Sequence, residues 1–334
     1  MKYFILIFFL HFALQVNGQN ENLKQRALNR FNFKEYSIPV ENDTIFYYVN
    51  KKKNANPDKV VLYLQGTSPT PESFFQIDPI KNGYSYVSYF PQDYEELSEE
   101  YIYVIIALPG TPVVKGYGII NLEKYNRLNS LNYRVFAADT VINHISSQLF
   151  KPKKVIVYGH SEGAFVAPKL ATVNNKITHL GVWGGSALND FYDFIQFERK
   201  ANIRGEQSDL TTQEKITQII ELFKDITLDS LNTVPLNNNE ITQYTNKRWW
   251  SYAEPSINHL VKIEIPIFIQ LGTEDESSPI ESNYLIPLEF ARLGKTNLSF
   301  NVCIGCDHSF VNVETKKDNW SDIFKKFIAW AERN

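Results

Sequence analysis

Cysteine is nearly missing from this chain: Cys303 and Cys306 are the only two among 334 residues. Two thiols cannot make a structural zinc site unless two further ligands stand close by. Their C-x-x-C spacing lacks the strand-to-helix context of a thioredoxin-like redox pair. An excess of either charge is missing as well. The formal net charge of -3 is small for this length and argues against a nucleic-acid partner. No basic run stands out beyond Lys51-Lys52-Lys53, which reads as a solvated loop. Past the extreme N-terminus, no apolar run reaches the roughly 20 residues a membrane-spanning helix needs. Internal repeats, linkers and low-complexity tracts are absent too. What is present is core material: 43% apolar residues, with 23 Phe and 19 Tyr, which excludes general disorder.

The N-terminus, MKYFILIFFLHFALQVNGQ, has the pattern of a secretory signal. Lys2 supplies the positive end, Tyr3 to Val16 the apolar stretch, and Val16-Asn17-Gly18 the residues before cleavage. The apolar stretch is short for a spanning anchor. The expectation is a signal peptide at residues 1–18, a mature chain from Gln19, and a secreted or periplasmic location with no stable membrane span after cleavage. Residues 19–334 are expected to form a single domain.

Downstream, strand-like and helix-like segments alternate, which predicts a mostly parallel sheet covered by helices. Tyr36–Val40 and Thr44–Asn50 read as neighbouring early strands. Val60–Gly66 and Tyr101–Gly110 are apolar runs suited to strands buried on both faces. From Leu131 to Phe150, Val135, Ala138, Ile142, Ile145 and Leu149 recur at helical spacing, and Pro152 ends the helix. Thr178–Gly185, Pro266–Gly272 and Phe300–Gly305 read as the later strands, and Trp320–Arg333 as a closing amphipathic helix. Between about 186 and 261 the alternation stops. That polar, helical segment reads as an insertion, with Thr211 and Glu214 as a capping box at its clearest helix.

The chemistry centres on GHSEG at 159–163, a G-x-S-x-G motif between a predicted strand and a predicted helix. In so sharp a reversal the glycines avoid clashes while Ser161 is presented above the sheet edge. A serine hydroxyl needs an adjacent base. His308, in GCDHSF after the last predicted strand, is placed to supply it. His144, His160, His179 and His259 fit that role less well, and His160 is expected to point away from the serine's base. Among Glu274, Asp275 and Glu276 in GTEDESSP, Asp275 is the preferred acid to orient the imidazole. For a developing oxyanion the candidate donors are the backbone N–H of Glu162 and, from the LQGTSPTP loop, that of Thr67, with Ser68 next. Trp249, Trp250 and Tyr252 in KRWWSYAEPS are candidate pocket residues, although gluing the insertion to the core explains them equally well.

Taken together, QGT at 65–67, GHSEG at 159–163, GTEDESSP at 272–279 and GCDH at 305–308 make the chain resemble an α/β-hydrolase-fold serine hydrolase over about residues 36–332. The resemblance implies an eight-stranded, mostly parallel sheet flanked by helices, with a helical cap inserted after the sixth strand. It carries over Ser161 as nucleophile, Asp275 as acid and His308 as base, and calls for no cofactor or metal. The chain departs from many relatives in having Gln65-Gly66 where His-Gly is commoner. In an exported protein Cys303 and Cys306 are expected to form a disulfide that stiffens the histidine loop. The leading reading is hydrolysis of a carboxylic ester or thioester, on a small-molecule or peptide substrate. A prolyl-type peptidase is the enzymatic rival, and a non-catalytic binding protein on the same scaffold the rival from another class.

Overall fold

The β-branched and aromatic runs pair into one central sheet in the computed structural model. It describes residues 23–41, 43–53, 55–66, 72–91, 93–116, 118–236 and 244–334. The expected signal segment, Thr67 and Ser68 lie outside the described residues. In chain order the strands are β1 (Phe33–Val40), β2 (Asp43–Lys51), β3 (Lys59–Leu64), β4 (Phe75–Ile80), β5 (Gly83–Ser88), β6 (Tyr101–Ile106), β7 (Val114–Lys115), β8 (Lys154–His160), β9 (His179–Trp183), β10 (Ile267–Gly272) and β11 (Leu298–Cys303). Eight of them form the main sheet in the order β1-β2-β6-β3-β8-β9-β10-β11. Only the β1–β2 and β2–β6 pairings are antiparallel. From β6 onward every neighbour runs parallel.

Strands β6, β9 and β10 are buried along their whole length, as expected of parallel strands covered on both faces. One face of the sheet packs on the helices Leu131–His144 and Gly163–Val173, through residues such as Val141, Ile142, Val166 and Leu170. On the other, the closing helix Trp320–Arg333 sets Phe324, Phe327 and Trp330 against Tyr158, Trp183 and Phe268. Burying side chains of this size stabilises by roughly 1.5–3 kcal/mol each.

Three details differ from the sequence expectation. The regular part of the Leu131 helix stops at His144, and Ile145–Leu149 continues as a wider π-helical turn. The long insertion helix, Asp209–Leu228, is capped by Ser208, whose hydroxyl accepts from the Thr211 N–H, so Thr211 is not its cap. A second, three-stranded sheet in the order β5-β4-β7 was not expected. Its hairpin turns at Lys81-Asn82 before Gly83, and the Asn-Gly signal for it stands in the sequence. Between β9 and β10 the chain makes the helices Asp190–Ile203, Asp209–Leu228, Asn246–Ser251 and Ile257–Leu260. No helix among the described residues is long and apolar enough to cross a membrane.

Candidate active site

Strand β8 ends at His160, and the helix Gly163–Val173 begins three residues later. Between them Ser161 takes φ 57°, a left-handed conformation that a non-glycine residue adopts only at a cost. Its N–H donates to the Trp183 carbonyl at 3.1 Å, so β9 helps to hold the strained residue. The flanking glycines are sterically required. A Cβ at 159 would lie 2.0 Å from the Gly163 carbonyl oxygen, and one at 163 only 1.9 Å from that of Leu64. The helix carries no side-chain cap at its start, and its positive dipole end therefore lies beside the serine.

His308 and Ser161 line one cavity of about 630 Å³, together with His160, Gln65 and Gly66. The Nδ1 of His308 is 2.8 Å from Asp275 Oδ2. Asp275 is buried, and its other oxygen accepts from the N–H groups of Ser277 and Ser278 at 2.7 and 2.8 Å. Its exposed neighbours Glu274 and Glu276 stay at the surface. Cys303 and Cys306 are joined as a disulfide, at the end of β11 and two residues before His308.

His160 departs from the expected orientation. Instead of turning away, its ring packs 4.7 Å from that of His308, and its Nε2 lies 2.8 Å from the His308 carbonyl oxygen. Burial, reinforced by the neighbouring His308, pulls its pKa down to about 3. A neutral His160 therefore braces the His308 loop through that ring nitrogen. The side chain of Trp320 packs edge-on against His160 and donates from Nε1 to Asp93 at 2.9 Å. Asp93 also accepts from the Tyr158 hydroxyl, and burial pushes its pKa up to about 7.

The three candidate pocket aromatics do not line this cavity. Trp249 is buried inside the insertion against Phe191, Phe194 and Tyr244. Tyr252 is buried in the main core, with its hydroxyl on Glu162. Trp250 is 45% exposed and borders a separate groove with Phe223 and Leu231. All three come from one short helix and its cap, which faces the core and the insertion helices but not Ser161. The cavity wall comes instead from the segments around the small sheet, Phe74, Tyr89 and Phe90, and from Val311 and Trp320.

Sequence reasoning also missed the side chain of Glu162. It is a buried carboxylate that accepts from Arg134 at 2.7 Å, from Arg248 at 2.7 and 3.0 Å, and from Tyr252 at 2.9 Å. Against the burial that would raise its pKa, Arg248 and Arg134 hold it below the usual carboxylate value. Arg248 continues to Asp190 at 3.0 Å and lies over the rings of Tyr244 and Trp249. Arg134, Arg248 and Glu162 are buried together, while Asp190 at the end of the group keeps 22% of its side chain exposed. Among the described residues, no group of three or more His, Cys, Asp or Glu side chains is arranged to hold a metal ion.

No protein-family model and no curated protein sequence matches the chain. Solved structures do. An acylaminoacyl peptidase from Pyrococcus horikoshii is similar over 90% of this chain and 41% of its own, with a TM-score of 0.57 and 13% identity. An esterase from Pyrococcus furiosus is similar over 91% and 93%, with a TM-score of 0.54 and 14% identity. A bacterial membrane phospholipase A is similar over the full length of both chains, with a TM-score of 0.52 and 15% identity. The chain thus spans about two fifths of the length of the peptidase and nearly all of the esterase. It has the α/β-hydrolase fold.

Proposed function

We propose that this protein is an exported serine hydrolase that cleaves a carboxylic ester or thioester through an acyl-Ser161 intermediate. One observation carries the reading. Ser161, held at φ 57° between strand and helix, shares a cavity with a histidine whose Nδ1 rests on a buried carboxylate. In this reading His308 Nε2 takes the Ser161 proton as Oγ attacks the acyl carbon. Asp275 holds the tautomer that makes this possible and stabilises the imidazolium. The oxyanion is met by the Glu162 N–H, with the second donor expected from the sequence at Thr67, outside the described residues. His308 then passes its proton to the leaving oxygen or sulfur. A water activated by the same nitrogen releases the acid.

A specific observation favours a second reading, a serine peptidase. Among the described residues, the cavity wall holds the carboxyl groups of Glu72, Glu95, Glu96 and Asp318 and no lysine or arginine, although Lys325 pairs with Glu96 at 3.2 Å. Such a wall suits a substrate that carries a protonated amine. The direct test is labelling of the purified mature protein with a fluorophosphonate, with Ser161→Ala as control. Labelling of the wild type alone supports the hydrolase. No labelling would leave the binding-protein alternative. Comparing p-nitrophenyl esters with aminoacyl-p-nitroanilides then separates esterase from peptidase. Export is tested by the mass of the mature chain, which is expected to start at Gln19.

A further inference from the structure

The guanidinium of Arg134 bridges the side chain of the residue after the nucleophile and the backbone of the strand end beside it. Its NH1 donates to Glu162 Oε1 at 2.7 Å, on the residue that follows Ser161. Its NH2 donates to the Gln65 carbonyl at 2.5 Å, at the end of β3. That strand end runs against the serine: a Cβ built on Gly66 would lie 2.9 Å from Ser161 Cβ and 3.3 Å from its Oγ. Arg134 itself is buried on the helix Leu131–His144 and touches neither the cavity nor the triad side chains.

We infer that Arg134 is a positioning residue for the oxyanion hole, a role that rests on the acyl-serine reading above. A planar guanidinium offers two parallel donors at a fixed spacing, which a lysine ammonium cannot reproduce. With one prong on Glu162 and the other on Gln65, it sets the distance between the elbow N–H and the strand end opposite. The Glu162 carboxylate has three further hydrogen bonds, two from Arg248 and one from Tyr252, so the elbow prong is anchored on a rigid group. The strand-end prong rests on a backbone carbonyl alone. Changing Arg134 therefore releases the Gln65–Gly66 side while Glu162 stays tethered.

The test compares Arg134→Lys with the wild type on a p-nitrophenyl ester and on a boronic acid that forms a tetrahedral adduct with the serine. Deleting an oxyanion donor costs roughly 10²–10³ in kcat, and a displaced donor less, so Arg134→Lys is expected to lower kcat about tenfold. KM should stay within about twofold, and boronate affinity should fall in proportion to kcat, because only the tetrahedral state uses the hole. Tyr252→Phe, which deletes one neutral hydrogen bond to Glu162 and leaves both prongs, is the second variant and should show the same pattern at about twofold to threefold. Unchanged kcat in the folded Arg134→Lys variant would overturn the role of Arg134. So would a fall in kcat without a matching fall in boronate affinity, which marks a purely structural effect. A wild type that turns over no ester and binds no boronate would overturn the acyl-serine reading itself.

Discussion

The two sides of Ser161 are held by different physics. On the histidine side each part is fixed by its own near neighbours, although Asp275 and His308 themselves stand 33 positions apart. Asp275 is fixed by the N–H groups of residues two and three positions on, and the His308 loop is tied by a disulfide that closes over three positions. On the Glu162 side the parts come from across the chain. Arg134 lies 28 positions before Glu162, Arg248 86 after it, and Tyr252 90 after it. The first arrangement orients one proton carrier with neutral backbone donors. The second buries Arg134, Glu162 and Arg248 together, and such a group is costly to leave incomplete. Damage on the histidine side should therefore appear in activity, and damage on the Glu162 side in stability first.

The largest effect tests the first half of that contrast. Asp275→Asn keeps the shape but favours the wrong imidazole tautomer, and should lower kcat by about 10⁴ while the melting temperature hardly moves. Glu274→Gln and Glu276→Gln, at exposed neighbouring positions, should leave kcat unchanged. Ester hydrolysis by the three variants checks this. A uniform loss across all three would end the assignment of Asp275 as the orienting acid.

Arg248→Met tests the other half. It leaves the buried Glu162 without one of its two cations, and breaking a buried pair costs on the order of 3–5 kcal/mol. Denaturant unfolding should show that loss, against near wild-type stability for Asp275→Asn. Equal stability of the two variants would erase the contrast between the sides.

The same contrast explains what the sequence could tell. The turn around Ser161 is a local pattern of strand, glycine, serine, glycine and helix, and the closing helix announces itself by apolar spacing at Phe324, Phe327 and Trp330. Cys303, Cys306 and His308 are close enough along the chain to be read together. Glu162 gave no sign of its carboxylate's role, because its partners Arg134 and Arg248 are ordinary arginines in helical segments, and only the fold brings them to one point. Trp249, Trp250 and Tyr252 misled for a related reason. Aromatic side chains next to an active-site strand serve packing and binding equally well, and composition does not say which cavity they face. The small sheet was missed although Asn82-Gly83 marks its turn, because its strands, FQIDPI and GYSYVS, carry no continuous apolar run.

Removing the disulfide should matter less. In the double variant Cys303→Ser, Cys306→Ser the closed loop is short, and chain-entropy arguments give about 2 kcal/mol at most. His160 continues to brace the His308 carbonyl, so kcat should fall only a few-fold. A loss comparable to that of Asp275→Asn would mean that the disulfide, and not Asp275 with His160, sets the histidine.

The last prediction probes the cavity wall, and it concerns pH. Burial pushes the Asp93 carboxyl up to about 7, despite the donors Tyr158 and Trp320, and the nearby Glu96 and Asp318 act in the same direction. A carboxyl that holds its proton more tightly when folded contributes stability that is complete below about pH 4. That contribution falls as the pH rises from there through 7, because the unfolded chain ionises first. Asp93→Asn has no such titration. Thermal melts from pH 4 to pH 8 should therefore show the wild type losing stability relative to Asp93→Asn, most of it by pH 7. Parallel curves for the two proteins would show that Asp93 keeps its charge in the fold. The cavity wall beside Ser161 would then carry a full negative charge at neutral pH, which strengthens the case for a cationic substrate.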